Sequence, residues 1–263
     1  MFFFILKENM DYTYHRGLCM NENKNLTKNR ITLFLIGLFG LQLISFFIAS
    51  SGLLQQFVDS FKIVTSNELL AYLNFLCYAL TIIPALFIFD KEQLHKLTEG
   101  LKDKTKIKQG VILWVVLTSS SIIYNVITSI AFGSGDNQNQ TSVNDSILAS
   151  PFLMSLIVAI LGPLIEEITY RYGLFGSIKK KSRILAYLLT MVIFGFIHFD
   201  FSAIFTDQNA LINELINIPS YIISGAILCF GYDRDETMAV PTIAHILNNA
   251  SSVLGILIMS FPL

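Results

Sequence analysis

Charge is what this 263-residue chain has least of: only 14% of its residues are Asp, Glu, Lys or Arg, where soluble domains carry about a quarter. With 53% hydrophobic residues and a mean hydropathy of +0.60, a soluble fold would have to bury more side chain than its volume can hold. An ordinary cytosolic enzyme is thereby excluded, and so is a disordered chain. A basic excess is also missing. The 18 Lys and Arg against 19 Asp and Glu give a formal net charge of −1, so no nucleic acid or other polyanion is expected as a partner. Cysteine is sparse and unpatterned. Cys19, Cys77 and Cys229 form no CxxC, which argues against a zinc knuckle or a disulfide framework; Cys77 and Cys229 read as apolar filler within helices. The N-terminal run Phe2–Leu6 is too short for a signal-peptide core, and no cleavage site follows it. Met10 and Met20 downstream leave open whether residues 1–19 belong to the natural protein.

Long apolar runs are what the chain has instead. Seven stand out, at Ile31–Leu54, Leu69–Phe89, Val111–Phe132, Ile147–Phe175, Ile184–Phe199, Leu215–Tyr232 and Met238–Phe261. Most reach the ~20 residues that span the hydrocarbon core. The fifth is short and the sixth marginal, so six to eight spans bracket the expected seven. The fold expected is an all-α polytopic membrane helix bundle. A single transmembrane domain occupies residues 31–263, after a poorly ordered cytoplasmic segment over residues 1–30. The basic residues alternate between the connections. Lys7, Arg16, Lys24, Lys28 and Arg30 precede the first span, six lysines lie in Asp90–Gly110, and Lys179, Lys180, Lys181 and Arg183 follow the fourth span. Gly133–Ser146 and Asp200–Glu214 hold no Lys or Arg. The positive-inside rule then puts the N-terminus in the cytoplasm of a multi-pass cell-membrane protein, with the C-terminus external if the helices number seven. Gly133–Ser146 reads as a flexible external loop, and Phe201–Ile212 as a partial helix in the interface.

Of the 37 charged side chains, three fall inside a span: Glu166, Glu167 and Arg171, all in the fourth. Each would cost about 2.5–3.5 kcal/mol facing lipid even on a lenient scale, so they must face protein or water. Glu167 and Arg171 are four residues apart and can pair on one helix face. Glu166 is rotated by about 100° from that face. An unpaired carboxylate in a low-dielectric site suits a general base or acid. Gly162-Pro163 just before it removes a backbone hydrogen bond and can kink the helix. Two structural explanations compete with a catalytic one. The three charges could form an ion-pair network that locks the bundle, or the span could end near Ile165 and leave them in the headgroups.

Histidine adds a second signal. His15 and His95 sit in charged segments. His198 closes the fifth apolar run, and His245 lies in the seventh with Asn249 four residues on, on the same face. Either histidine, or Asn248 or Asn249, could be ordinary helix-packing glue. Two Glu, two His and an amide on three separate helices are harder to explain that way. Counted from the basic end, Glu166, His245 and His198 lie about 14, 10 and 21 Å deep, so they can meet at one cavity in the cytoplasmic half or near the midplane.

These residues carry a resemblance. Glu166-Glu167-Ile-Thr-Tyr-Arg171 resembles the EExxxR motif of the CPBP family, also called the Abi or CAAX-protease family. Phe194-x-x-x-His198 resembles its FxxxH motif, and His245-x-x-x-Asn249 its HxxxN motif. All three occur in order on separate predicted helices, from about Pro163 to Asn249. The first three helices are similar to the family only in being hydrophobic.

The resemblance implies an intramembrane glutamic endopeptidase whose catalytic region covers residues 147–261, acting on a membrane-associated or hydrophobic protein or peptide. Bacterial relatives are linked to bacteriocin self-immunity and peptide-pheromone processing. Carried over residue by residue, it makes Glu166 the base that activates water, with His198 holding or helping to deprotonate that water. His245 and Asn249 become donors to the developing oxyanion, Glu167 and Arg171 a supporting pair, and Phe194 a packing partner. No cofactor is expected. Zinc held by Glu166, His198 and His245 is the less favoured alternative, because no short chelating pair is present and HExxH is absent. Two other readings stand beside the protease: a membrane regulatory or immunity protein of the same fold that acts by binding a partner, and a proton-coupled transporter, for which no inverted repeat is visible. The oligomeric state is not legible.

Overall fold

The computed structural model describes residues 24–61, 65–133, 137–206 and 208–260. Among them there are helices and no strands. They are α1 (Lys24–Ser50), α2 (Leu53–Phe61), α3 (Ser66–Ile88), α4 (Lys91–Gly100), α5 (Lys104–Phe132), α6 (Gln138–Ala149), α7 (Pro151–Ile178), α8 (Arg183–Phe196), α9 (Ala203–Thr206), α10 (Gln208–Asp235) and α11 (Ala239–Ser260). Six of them, α1, α3, α5, α7, α10 and α11, are long and apolar enough to cross a membrane. The protein is thus an all-α, multi-pass helix bundle, as expected.

Short polar residues start the helices where the chain leaves the apolar slab. Thr65 Oγ1 accepts from the Glu68 N–H at 3.1 Å, Asp90 caps α4, Asp103 caps α5, Asn137 caps α6 and Ser182 caps α8. Each satisfies one of the donors that a helix start leaves without an intrahelical partner.

Several boundaries differ from the sequence reading. The first helix begins at Lys24, so the described part of the 1–30 segment is helical; residues 1–23 lie outside the described residues. The reason is visible at Arg30, which is buried and donates to the Gly176 carbonyl at 2.7 Å. Tertiary contact holds this turn where hydropathy is low. Leu53 and Leu54, read as the end of the first span, belong to the separate short helix α2. The stretch read as a flexible loop, 133–146, contains α6, started by the Asn137 cap and held to α10 by Tyr221, whose hydroxyl accepts from Asn137 and Asn139, both at 3.2 Å. The fifth apolar run forms α8, only 14 residues long, about 21 Å against the ~30 Å core. The chain then turns inside the bundle: the buried Glu214 carboxylate accepts from the Asp200 N–H at 3.0 Å. The fourth span does not stop near Ile165. Its helix continues to Ile178, with Glu167 and Arg171 fully buried in protein.

Close packing around α7 positions the site. α1 lies against its C-terminal half, and a Cβ added at Gly37 would come within 1.7 Å of Thr169 Oγ1. Small residues let helix backbones approach where lipid supplies no hydrophobic drive. On the other flank α8 and α10 meet at Gly195, where an added Cβ would lie 2.5 Å from Ile222. Below the site, Leu33, Phe89, Ile168, Tyr172, Phe175, Tyr187, Tyr232 and Met238 belong to one continuous buried apolar cluster.

Candidate active site

The backbone of α7 is irregular where the sequence places Glu166 and Glu167. Ile157–Leu161 and Glu167–Phe175 are π-helical, with ordinary α-helical turns before, between and after them. π-Turns are rare and concentrate at functional sites. The first has a local cause. Gly162 N–H bonds five residues back, to the Ile157 carbonyl, and Pro163 has no N–H to offer. The Val158 carbonyl therefore has no helical donor, and Asn249 Nδ2 supplies one from α11 at 3.0 Å. The amide is itself held: Asn248 Nδ2 donates to Asn249 Oδ1 at 3.3 Å, and Thr118 Oγ1 donates to Asn248 Oδ1 at 3.2 Å. The Gly-Pro break read from the sequence and the HxxxN asparagine are thus two halves of one contact.

The charges divide as the helical geometry implied. Glu167 and Arg171 are fully buried and paired at 3.1 Å. Glu167 Oε1 also accepts from His245 Nδ1 at 2.8 Å. That bond directs the Nδ1 proton toward Glu167 and leaves His245 Nε2 facing Glu166 Oε2 at 3.7 Å. Glu166, with 20% of its side chain exposed, looks into the cavity instead; its Oε2 is buried and has no protein hydrogen-bond partner.

His198 lies just past the end of α8. Its backbone N–H bonds to Gly195 at 3.2 Å, so the Phe194 carbonyl is left over, and His198 Nδ1 donates to it at 2.8 Å. The F-x-x-x-H spacing is the spacing of this cap. Nε2 is then the basic nitrogen. The ring is stacked on Tyr221, with centroids 4.2 Å apart and planes 9° from parallel. Phe194 ties the three motifs together: the Arg171 guanidinium lies 4.3 Å from its ring centroid, and Tyr170, His198 and His245 lie 5.5, 5.0 and 6.2 Å away, ring to ring.

Glu166, His198, His245 and Asn249 all line one cavity of about 970 Å³. Glu167 and Arg171 support it from behind and Phe194 borders it, so the predicted site residues converge. The cavity does not occupy the basic half as one reading allowed. It runs from mid-bundle toward the opposite end. Tyr78, Tyr170 and Tyr221 also line it and were not singled out from sequence, because a tyrosine in an apolar run is indistinguishable there from core filler. Among the described residues, no group of three His, Cys, Asp or Glu side chains converges closely enough to hold a metal ion.

Comparison with known proteins gives the same direction. Residues 148–251 match the family model described as type II CAAX prenyl endopeptidase Rce1-like, a stretch that contains all three motifs. The chain is 28% identical over 196 residues to the Bacillus subtilis (strain 168) protein named "Putative membrane peptidase YdiL", covering 72% of each chain. It is 27% identical over 188 residues to the membrane-embedded CAAX protease MroQ of Staphylococcus aureus (strain USA300), covering 64% of this chain and 70% of that one. It is 26% identical over 125 residues to the UPF0177 protein YvdC of Lactococcus lactis subsp. lactis (strain IL1403), covering 47% of each. No solved structure matches. In its motifs, its helix bundle and these relatives, the chain is similar to the CPBP (Abi/CAAX protease-like) membrane proteins, with residues 148–251 carrying the family match.

Proposed function

We propose that this protein is a glutamic intramembrane endopeptidase, adding water across a peptide bond of a membrane-associated or hydrophobic polypeptide without a metal ion. The observation that carries the reading is the contrast between two adjacent carboxylates. Glu167 lies outside the cavity, bound through Oε1 to Arg171 and His245, and Glu166 faces the cavity with no protein hydrogen bond to Oε2.

In the proposed reaction a water between Glu166 and the basic Nε2 of His198 loses its proton to Glu166 as its oxygen attacks the scissile carbonyl carbon. The tetrahedral oxyanion needs donors. Asn249 has two N–H bonds and spends one on Val158 O, leaving the other for the oxyanion, preorganised by the Asn248–Thr118 chain. His245, oriented by Glu167, stands beside Glu166. When its Nε2 carries a proton it donates to the oxyanion, and the proton that Glu166 took from the water passes to the leaving amine as the C–N bond breaks. Arg171 neutralises Glu167, so Glu167 orients the ring without competing for the water's proton. The metal-free form is supported by the spread of Glu166, His198 and His245 over three segments with no converging ligand triplet. Chelator-resistant cleavage by metal-analysed protein is its check.

Glu166→Gln keeps size and hydrogen bonding while removing the base. It is expected to cut cleavage by about 10²–10⁴-fold with the fold intact, read by comparative peptidomics of cells carrying either form alongside thermal unfolding of the purified proteins. Unchanged peptide profiles with Glu166, His198 and His245 all replaced, and the cellular phenotype retained, would favour a binding protein of this fold instead. Bacteriocin self-immunity and peptide-pheromone processing are the biological settings we propose.

A further inference from the structure

The cavity that holds Glu166 has an open end and a closed end, and the two carry different charge. Its walls come from Gly37–Gln42 of α1, from Leu117 to Phe132 of α5 and on to Gly133, from Asn137–Gln140 at the start of α6, from Asn213–Ser224 of α10 and from His245–Ser252 of α11. In every one of these helices that is the part leading toward the 50–65, 133–150 and 199–207 connections. No lining residue comes from the 90–110, 176–186 or 230–241 connections.

That other end is sealed. Phe89, Leu97, Phe175, Tyr187, Tyr232, Met238 and Ala239 pack there in one buried apolar cluster. Gly100 meets α11 so closely that an added Cβ would lie 2.5 Å from Ala239. Ion pairs clamp the rim: Lys179 to Asp233 at 2.9 Å and to Glu236 at 2.8 Å, Arg183 to Asp233, and Lys106 to Asp235 at 3.0 Å.

The sealed end is the basic one, with six lysines in Asp90–Gly110 and the Lys179–Arg183 cluster, and the open end is the one whose connections, Gly133–Ser146 and Asp200–Glu214, hold no Lys or Arg. Basic connections remain in the cytoplasm. Resting on the reading of Glu166 as the proteolytic base, we propose that the site is reached from the extracytoplasmic face, and that its substrate is an extended polypeptide segment presented there. The wall chemistry fixes the second half of this statement. Along the open part polar residues such as Ser121, Asn125, Asn213 and Ser220 alternate with apolar ones such as Leu41, Ile122, Phe132 and Ile216, and Glu166 is the one acidic residue among the described lining residues. The polar groups pair with the unsatisfied N–H and C=O of an extended backbone. An intact helix has already paired its own backbone groups.

Access and cleavage are tested separately. In a background with Cys19, Cys77 and Cys229 replaced by Ser, single variants Asn125→Cys (cavity wall) and Lys180→Cys (sealed end) are treated with a membrane-impermeant maleimide in intact cells and after lysis. The expected result is labelling of Asn125→Cys in intact cells to the lysate level, and of Lys180→Cys only after lysis; the reverse pattern overturns the proposal. Peptidomics of wild type against Glu166→Gln then reads the substrate. Lost peptides that map to extracytoplasmic segments support the proposal, and lost peptides from cytoplasmic segments overturn it. If no peptide is lost while the labelling pattern holds, the access assignment stands and the proteolytic reading fails.

Discussion

Asn249 is the residue whose two functions can be pulled apart. It donates to Val158 O because Pro163 cannot, and the same amide faces the cavity. Asn249→Leu leaves a half-buried carbonyl without its donor and is expected to cost about 1 kcal/mol. Pro163→Ala restores a backbone N–H next to that carbonyl. A double-mutant cycle followed by thermal unfolding in detergent should therefore show favourable coupling, the double variant being more stable than the sum of the single effects. Cleavage should stay low in both variants lacking Asn249, since the oxyanion donor is not restored. Additive unfolding data would remove Pro163 from the explanation. The buried ion pair behaves differently. Arg171→Met strands the fully buried Glu167 carboxylate and is expected to destabilise by about 3–5 kcal/mol, while Arg171→Met with Glu167→Gln recovers most of that loss, measured the same way.

At the scale of elements, α7 is held by its neighbours more than by its own propensity. Gly37 of α1 has no room for a side chain against Thr169, so Gly37→Val is expected to force α1 off α7 at a cost of about 1–3 kcal/mol, and Thr169→Ala in the same chain should relieve part of it in a denaturation assay. Here the limits of the sequence are clear. The three charges of α7, the Glu167–Arg171 pairing and the outward turn of Glu166 were legible because helical spacing alone decides them. The first π-turn was not, because it depends on a carbonyl satisfied from 91 positions away by Asn249. The cap of Phe194 O by His198 was written in the F-x-x-x-H spacing, but its use required knowing that α8 ends at Phe196. α6 escaped notice because a polar Asn/Ser/Gln stretch reads as loop until Tyr221 is placed beside it. Tyr221 itself, stacked on His198, has no sequence signature at all.

Taken whole, the molecule is asymmetric along the bundle axis, with a polar opening at one end and a charged clasp at the other. The clasp has a definite pH signature. Burial alone would lower Lys179, but the Asp233 and Glu236 carboxylates outweigh it and hold the ammonium above its ordinary 10.5. The Lys179 hydrogen bond in turn holds Glu236 below its ordinary 4.5. A raised lysine stabilises fully below its unfolded-state value and loses that contribution as pH rises through the folded one. A depressed carboxylate stabilises above its unfolded-state value and loses it as pH falls through the folded one. The pair should therefore add a constant increment to the unfolding midpoint between about pH 5 and 10. Lys179→Met should lower the midpoint across that plateau and flatten the decline above pH 10.5, as read by thermal scans at graded pH.

The uneven winding of α7 has one more consequence. Removing a single residue from the wide turns between Glu167 and Phe175 would let the helix tighten to its ordinary pitch and change the angle and height at which everything after the cut leaves it. Gly176 would then turn away from Arg30, whose guanidinium reaches its carbonyl. An attempt to tidy this helix into regular form would thus unhitch the first helix of the bundle from the one that carries Glu166.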